Sequence, residues 1–104
     1  GGALALATDC NPGTSICESM PFIIALACRY LRLTPTEALH AATINAAYAL
    51  GRAAEVGSLA VGKRADVTLL ALPSEQHLGY RFGTNPVALV VKAGQIVVDR
   101  RSAE

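Results

Sequence analysis

Ala3-Leu4-Ala5-Leu6-Ala7-Thr8 runs straight into Asp9-Cys10-Asn11-Pro12-Gly13-Thr14-Ser15, and the fold turns on how this stretch is read. A short uncharged apolar run followed by a polar loop suits a strand buried on both faces, as in a parallel sheet. The opening Gly1-Gly2-Ala3-Leu4 reads as a strand entered in mid-protein. It lacks the basic start and apolar core of a cleavable leader.

Downstream, Phe22, Leu26 and Tyr30, and likewise Ile23, Ala27 and Leu31, recur at helical spacing. They predict a helix from about Glu18 to Arg32. A second helix is punctuated by Thr34 as N-cap, Pro35 in the first turn and Glu37 completing a capping box. It is Ala-rich to Leu50, and Gly51 supplies a left-handed C-terminal cap. So much alanine implies close packing, because small side chains let backbones approach; Tyr48 is expected in that interface.

The character changes after Gly51. Val56 to Asp66 carries glycines and turn formers, Val67–Leu72 is strand-like, and Pro73–Gly83 reads as a loop or short helix. Val87–Lys92 and Gln95–Asp99 are β-rich and meet at Ala93-Gly94, a hairpin signal. Strand, helix, helix and then about three strands make an odd free-standing design. They make sense as the last spoke of a (β/α)8 barrel, with strands that pack elsewhere.

Composition agrees that some faces are made for other parts. Of the 104 residues, 52% are apolar and 16% charged, and the mean hydropathy is +0.38. This is more apolar surface than a small domain easily buries. The excess points to missing parts of the same protein or to another subunit, and a homo-oligomer is the expectation. Net charge is +1 and the basic residues form no stripe, which argues against a nucleic-acid partner. The longest apolar run, Met20–Cys28, falls far short of the roughly 20 residues of a membrane span. No membrane association is expected. Three cysteines without CxxC spacing suggest neither a disulfide framework nor a zinc knuckle. Buried thiols in a cytoplasmic protein are the simpler expectation.

The sharpest candidate site is the loop Asp9 to Thr14. In a barrel, functional groups sit at the C-terminal ends of strands. A carboxylate there can bind a metal and take a proton from its water. Asn11 adds an amide, Pro12-Gly13 can expose backbone groups, and Thr14 adds a hydroxyl. On spacing alone the favoured reading is an Asx-turn, in which Asp9 and Asn11 satisfy their own backbone. His40 and His77 stand alone and read as structural. Ser15 and Ser19 lack a nucleophile-elbow context, and Gly57 and Gly62 make no phosphate loop.

Over almost its whole length the chain resembles the imidazolonepropionase family of the amidohydrolase superfamily. Thr43-Ile44-Asn45-Ala46-Ala47 and Gly57-Ser58-Leu59 with Gly62-Lys63-Arg64-Ala65-Asp66 look like the superfamily broadly. Thr8-Asp9-Cys10-Asn11-Pro12-Gly13-Thr14, His77-Leu78-Gly79-Tyr80 and Asn85-Pro86-Val87 look like imidazolonepropionases in particular. The resemblance implies an α/β fold. Residues 1–53 would be the last strand-helix part of a metal-dependent (β/α)8 barrel. Residues 54–104 would be C-terminal strands of a small β-sandwich domain built from both chain ends.

It further implies hydrolytic opening of 4-imidazolone-5-propanoate to N-formimidoyl-L-glutamate in histidine breakdown, with one Zn or Fe ion. Asp9 would be a metal ligand and catalytic group, and Asn11, Gly13 and Thr14 would contact the small-molecule substrate. The family's H-x-H motif, its other histidine ligands and an arginine for the propionate have no counterpart here. Ile16-Cys17 also departs from the small or Pro-containing residues expected after the loop. The activity would thus belong to a longer parent protein, and this part alone would be inactive. The alternatives are another cyclic amidohydrolase or deaminase, or a non-catalytic β-rich assembly module.

Overall fold

Ser19 and Pro21 start the first helix. In the computed structural model, which describes residues 3–101, α1 spans Met20–Tyr30, and the Ser19 hydroxyl accepts from the Phe22 N–H. It ends where Arg32 turns left-handed (φ 58). The expected limits, Glu18 and Arg32, thus fall just outside its two caps.

The next helix opens as anticipated. Around α2, Pro35–Ala42, Thr34 and Glu37 form the complete capping box, a cap worth about 1 kcal/mol. The predicted single helix to Leu50 is, however, broken. Thr43 leaves helical geometry (φ −118, ψ −89), and α3 spans Ile44–Ala49. The cause is local. The Thr43 hydroxyl takes the Leu39 carbonyl at 2.7 Å, the acceptor that its own N–H would use in an unbroken helix. That N–H bonds His40 O instead. A C-terminal cap follows at Gly51, whose N–H donates to Tyr48 O while Arg52 N–H donates to Ala47 O. Tyr48 is 78% exposed rather than packed. The packed face of α3 carries Ala47, and the next residue lies about 100° around the helix.

The strand expected at Ala3–Thr8 is not formed. These residues run as coil beside α2 and α3. Leu6 N–H donates to Ala41 O at 2.9 Å, and Asn45 Nδ2 donates to Leu4 O at 3.1 Å. A strand exists only through pairing, and no segment among the described residues pairs with this one. Most of its residues are exposed, and only Leu6 reaches the core.

That core lies between the helices and the loop after the first strand. Ile24, Ala27, Ala38 and Leu78 are buried together, with Leu33, Leu39, Leu70 and Leu72 against them. Close approach is built with small residues. Gly57 (φ 97) sits so near α3 that a Cβ there would lie 2.7 Å from the Ala47 Cβ. Arg29 joins α1 to the later loop by donating to Gly79 O at 3.1 Å and lying over the Phe82 ring.

The strands form one antiparallel sheet, β1 (Val67–Leu70), β2 (Val87–Lys92) and β3 (Gln95–Asp99), in the order β1-β2-β3. β1 stops two residues before the predicted Leu72, because Leu70 already pairs with Val87, the first residue of β2. One turn of 3-10 helix, Glu75–His77, fills the connection. β2 and β3 meet at Ala93 (φ 50) and Gly94 (φ 80), both left-handed as a type I′ turn requires. Asp66 Oδ1 accepts from the Ala93 N–H at 2.8 Å, and Ala65 O accepts from the Gly94 N–H at 2.9 Å. Beyond the turn, Arg101 bonds Asp99 through its side chain and N–H and holds that carboxyl at about 2. Among the described residues no helix is long and apolar enough to cross a membrane.

Alanine at a left-handed position costs about 1 kcal/mol that asparagine largely avoids. Ala93→Asn should therefore raise stability by up to about 1 kcal/mol, read as a higher urea midpoint at unchanged slope. A lower midpoint would overturn the left-handed strain at Ala93 as a cost to stability.

Candidate functional site

The loop from Thr8 to Ser15 is built around one side chain. Asn11 Oδ1 accepts from Gly13 N–H at 2.9 Å, Thr14 N–H at 2.8 Å and the Thr14 hydroxyl at 3.3 Å. Asn11 Nδ2 donates back to Asp9 O at 2.7 Å. The backbones of Asn11 and Ser15 form an isolated antiparallel bridge, with Asn11 N–H donating to Ser15 O at 2.6 Å. Ser15 Oγ donates to Thr8 O at 3.2 Å and ties the loop's two ends. The Asx-turn that spacing favours is therefore present at Asn11.

Asp9 does not share in it through its side chain. Its backbone is left-handed (φ 52) and it is exposed. Among the described residues its carboxylate makes no hydrogen bond or ion pair. Asparagine and aspartate are the non-glycine residues that most readily adopt this conformation, so the site is compatible with its sequence but not relaxed.

The polar capacity left over follows by subtraction. Asn11 keeps one of its two amide N–H groups, because the other is spent on Asp9 O, and its oxygen is saturated. Thr14 has spent its proton and keeps acceptor lone pairs. Gly13 has spent its N–H, and a Cβ at this position would lie 3.3 Å from Asn11 Oδ1. Asp9 keeps both carboxylate oxygens. The side chains of Asp9, Asn11 and Thr14 can thus present one donor, several acceptors and a negative charge to a polar ligand.

The other titratable candidates lie elsewhere. His40 is exposed on α2. His77 Nδ1 lies 3.3 Å from Ser74 Oγ in the 3-10 turn. Cys10 is exposed and Cys17 and Cys28 are half-buried, all as free thiols rather than the buried set anticipated. Among the described residues no three His, Cys, Asp or Glu side chains converge. A catalytic zinc takes three protein ligands as a rule, so the described residues alone do not fit a metal centre.

Two concavities also stand apart from the loop. One groove of about 880 Å³ runs between α2, α3 and β1, past Leu39, Ile44, Ala47, Val67 and Leu70. Another of about 770 Å³ passes Met20, Ile24, Phe82 and Val87. Neither is lined by Asp9, Asn11, Gly13 or Thr14. Their mainly apolar walls offer packing surface rather than chemistry, so the chemistry of the loop outweighs the size of the grooves in locating the site.

Comparison with known proteins follows the same line. A model of the amidohydrolase family matches residues 1–97. The imidazolonepropionase of Herpetosiphon aurantiacus is 69% identical over 96 residues, 92% of this chain and 22% of the relative. That of Symbiobacterium thermophilum is 56% identical over 99 residues, 95% of this chain and 23% of the relative. E. coli guanine deaminase superposes on 94% of this chain, and 28% of its own, with a TM-score of 0.74. At 22% identity that is a likeness of fold alone. The chain spans less than a quarter of the length of the curated relatives named above.

Proposed function

The chain belongs to the amidohydrolase family, and from that premise we propose that its full-length protein is an imidazolonepropionase. It hydrolyses the ring of 4-imidazolone-5-propanoate to N-formimidoyl-L-glutamate in histidine degradation. The observation that carries this reading is the 69% identity to one such enzyme across 92% of the chain. Guanine deaminase shares the fold at only 22% identity, which leaves deamination as the second reading.

In the proposed site Asp9 is the working carboxylate. Water adds to the ring carbonyl carbon, the ring C–N bond breaks, and the nitrogen leaves with a proton. A carboxylate free of other partners can take the proton from the attacking water and pass it to the leaving nitrogen. Asn11 offers its remaining N–H, Thr14 its lone pairs, and Gly13 a surface without a side chain. The amidohydrolase family is generally metal-dependent. Asp9 would contribute one ligand to a zinc or iron ion, the other ligands coming from outside these 104 residues. By the same reading residues 1–53 complete a (β/α)8 barrel and residues 54–104 a small β-sandwich domain, in a cytoplasmic homo-oligomer. Val61, at 106% exposure, and Ile16, at 84%, are surface that such an assembly can cover.

The test is turnover by the full-length protein, with the open-chain product identified by mass. Absence of ring opening alongside deamination of a purine would replace the reading with its rival. The 104-residue chain by itself should give no ring opening even with added zinc or iron. Turnover by a mass-verified sample would show that these residues hold a complete site.

A further inference from the structure

We propose that Ser15 is a positioning residue for Asp9, one half of a clamp that fixes the backbone from which the carboxylate projects. The proposal rests on Asp9 being the working carboxylate.

The direction of a side chain with no partner is set by its own rotamers and by the two peptide planes that meet at its Cα. Both planes at Asp9 are held by side chains. The plane before it ends in Thr8 O, which accepts from Ser15 Oγ at 3.2 Å. The plane after it ends in Asp9 O, which accepts from Asn11 Nδ2 at 2.7 Å. Between them the backbone stays at φ 52, a conformation that costs free energy unless its surroundings impose it. Ser15 can impose it because it is fixed in turn. Its N–H donates to Asn11 O at 3.3 Å and its carbonyl accepts from Asn11 N–H at 2.6 Å. It is half-buried, while Asp9 is exposed. The Ser15 hydroxyl proton is spent on Thr8, so the residue acts through Asp9 rather than on substrate.

Removing the hydroxyl frees one plane and leaves the other held. Misplacing a reacting group by about 1 Å can cost about 10²-fold in rate. A half-released clamp should cost less, and we expect kcat to fall about tenfold in Ser15→Ala of the full-length protein. KM should stay within about twofold, because no substrate contact is lost. Ser15→Thr restores the hydroxyl and should restore most of kcat. Asp9→Ala, assayed alongside, separates the two possible failures. Full activity in Asp9→Ala sinks the reading of Asp9 itself. An inactive Asp9→Ala beside a fully active Ser15→Ala sinks the clamp alone. A Ser15→Ala that loses kcat and thermal stability together, with no rescue by threonine, would make Ser15 a fold residue and overturn the positioning role.

Discussion

Asp9→Asn in the full-length protein should lower hydrolysis by about three orders of magnitude or more, with the fold intact. The substitution is a clean one. Asparagine adopts the left-handed backbone of Asp9 (φ 52) about as readily as aspartate. The carboxylate makes no bond among the described residues that the change could break. What disappears is the charge and the proton acceptor. General-base assistance contributes typically 10²–10⁴-fold, and loss of a metal ligand would add to that. The expected pattern is a cooperatively folded protein with a lowered metal content and turnover near background. Near-normal turnover with unchanged metal would remove Asp9 from the site.

The largest effect on stability is expected at Gly57. A Cβ there would lie 2.7 Å from the Ala47 Cβ and 3.1 Å from the Ile44 Cα, and its backbone is left-handed at φ 97. Overpacking costs about 1–3 kcal/mol, and a left-handed alanine about 1–2 kcal/mol more. Gly57→Ala should therefore destabilise by about 3 kcal/mol, measured by urea denaturation. The two causes can be separated. Ala47→Gly removes the nearer obstacle and leaves Ile44 in place, so measured against Ala47→Gly alone Gly57→Ala should cost less, keeping the backbone part. A Gly57→Ala protein as stable as the parent would mean that the loop and α3 separate without cost.

What the sequence revealed of this fold was local. Thr34, Pro35 and Glu37 announce α2 because a capping box is completed within four residues. Ala93-Gly94 announces its hairpin because a two-residue connection is set by the turn itself. The break at Thr43 was hidden, since a threonine in a helical pattern shows nothing of whether its hydroxyl will displace its own N–H. The run Ala3–Thr8 misled for the opposite reason. Its apolar content fits a buried strand, but pairing depends on neighbours that the run does not name. At the site, residue types pointed to the loop Asp9 to Thr14 and to an Asx-turn of Asp9 and Asn11, which forms at Asn11 and not at the Asp9 side chain. The left-handed Asp9 and the Ser15 tie to Thr8 were not legible. The tie joins residues seven apart through a hydroxyl that serves equally well as a solvated surface group.

The position of β2 between β1 and β3 has a consequence on the timescale of deuterium uptake. Among the described residues only β2 is paired on both sides. Its amides can exchange only when one of its two ladders opens, so Leu89 to Val91, paired in both ladders, should be the slowest of the sheet. The outward-facing amides of β1 and β3 need no opening and should exchange as in an open chain. A segment of the full-length protein lying along β1 would then betray itself by slowing alternate amides between Val67 and Leu70, while the rates in β2 stayed where they were.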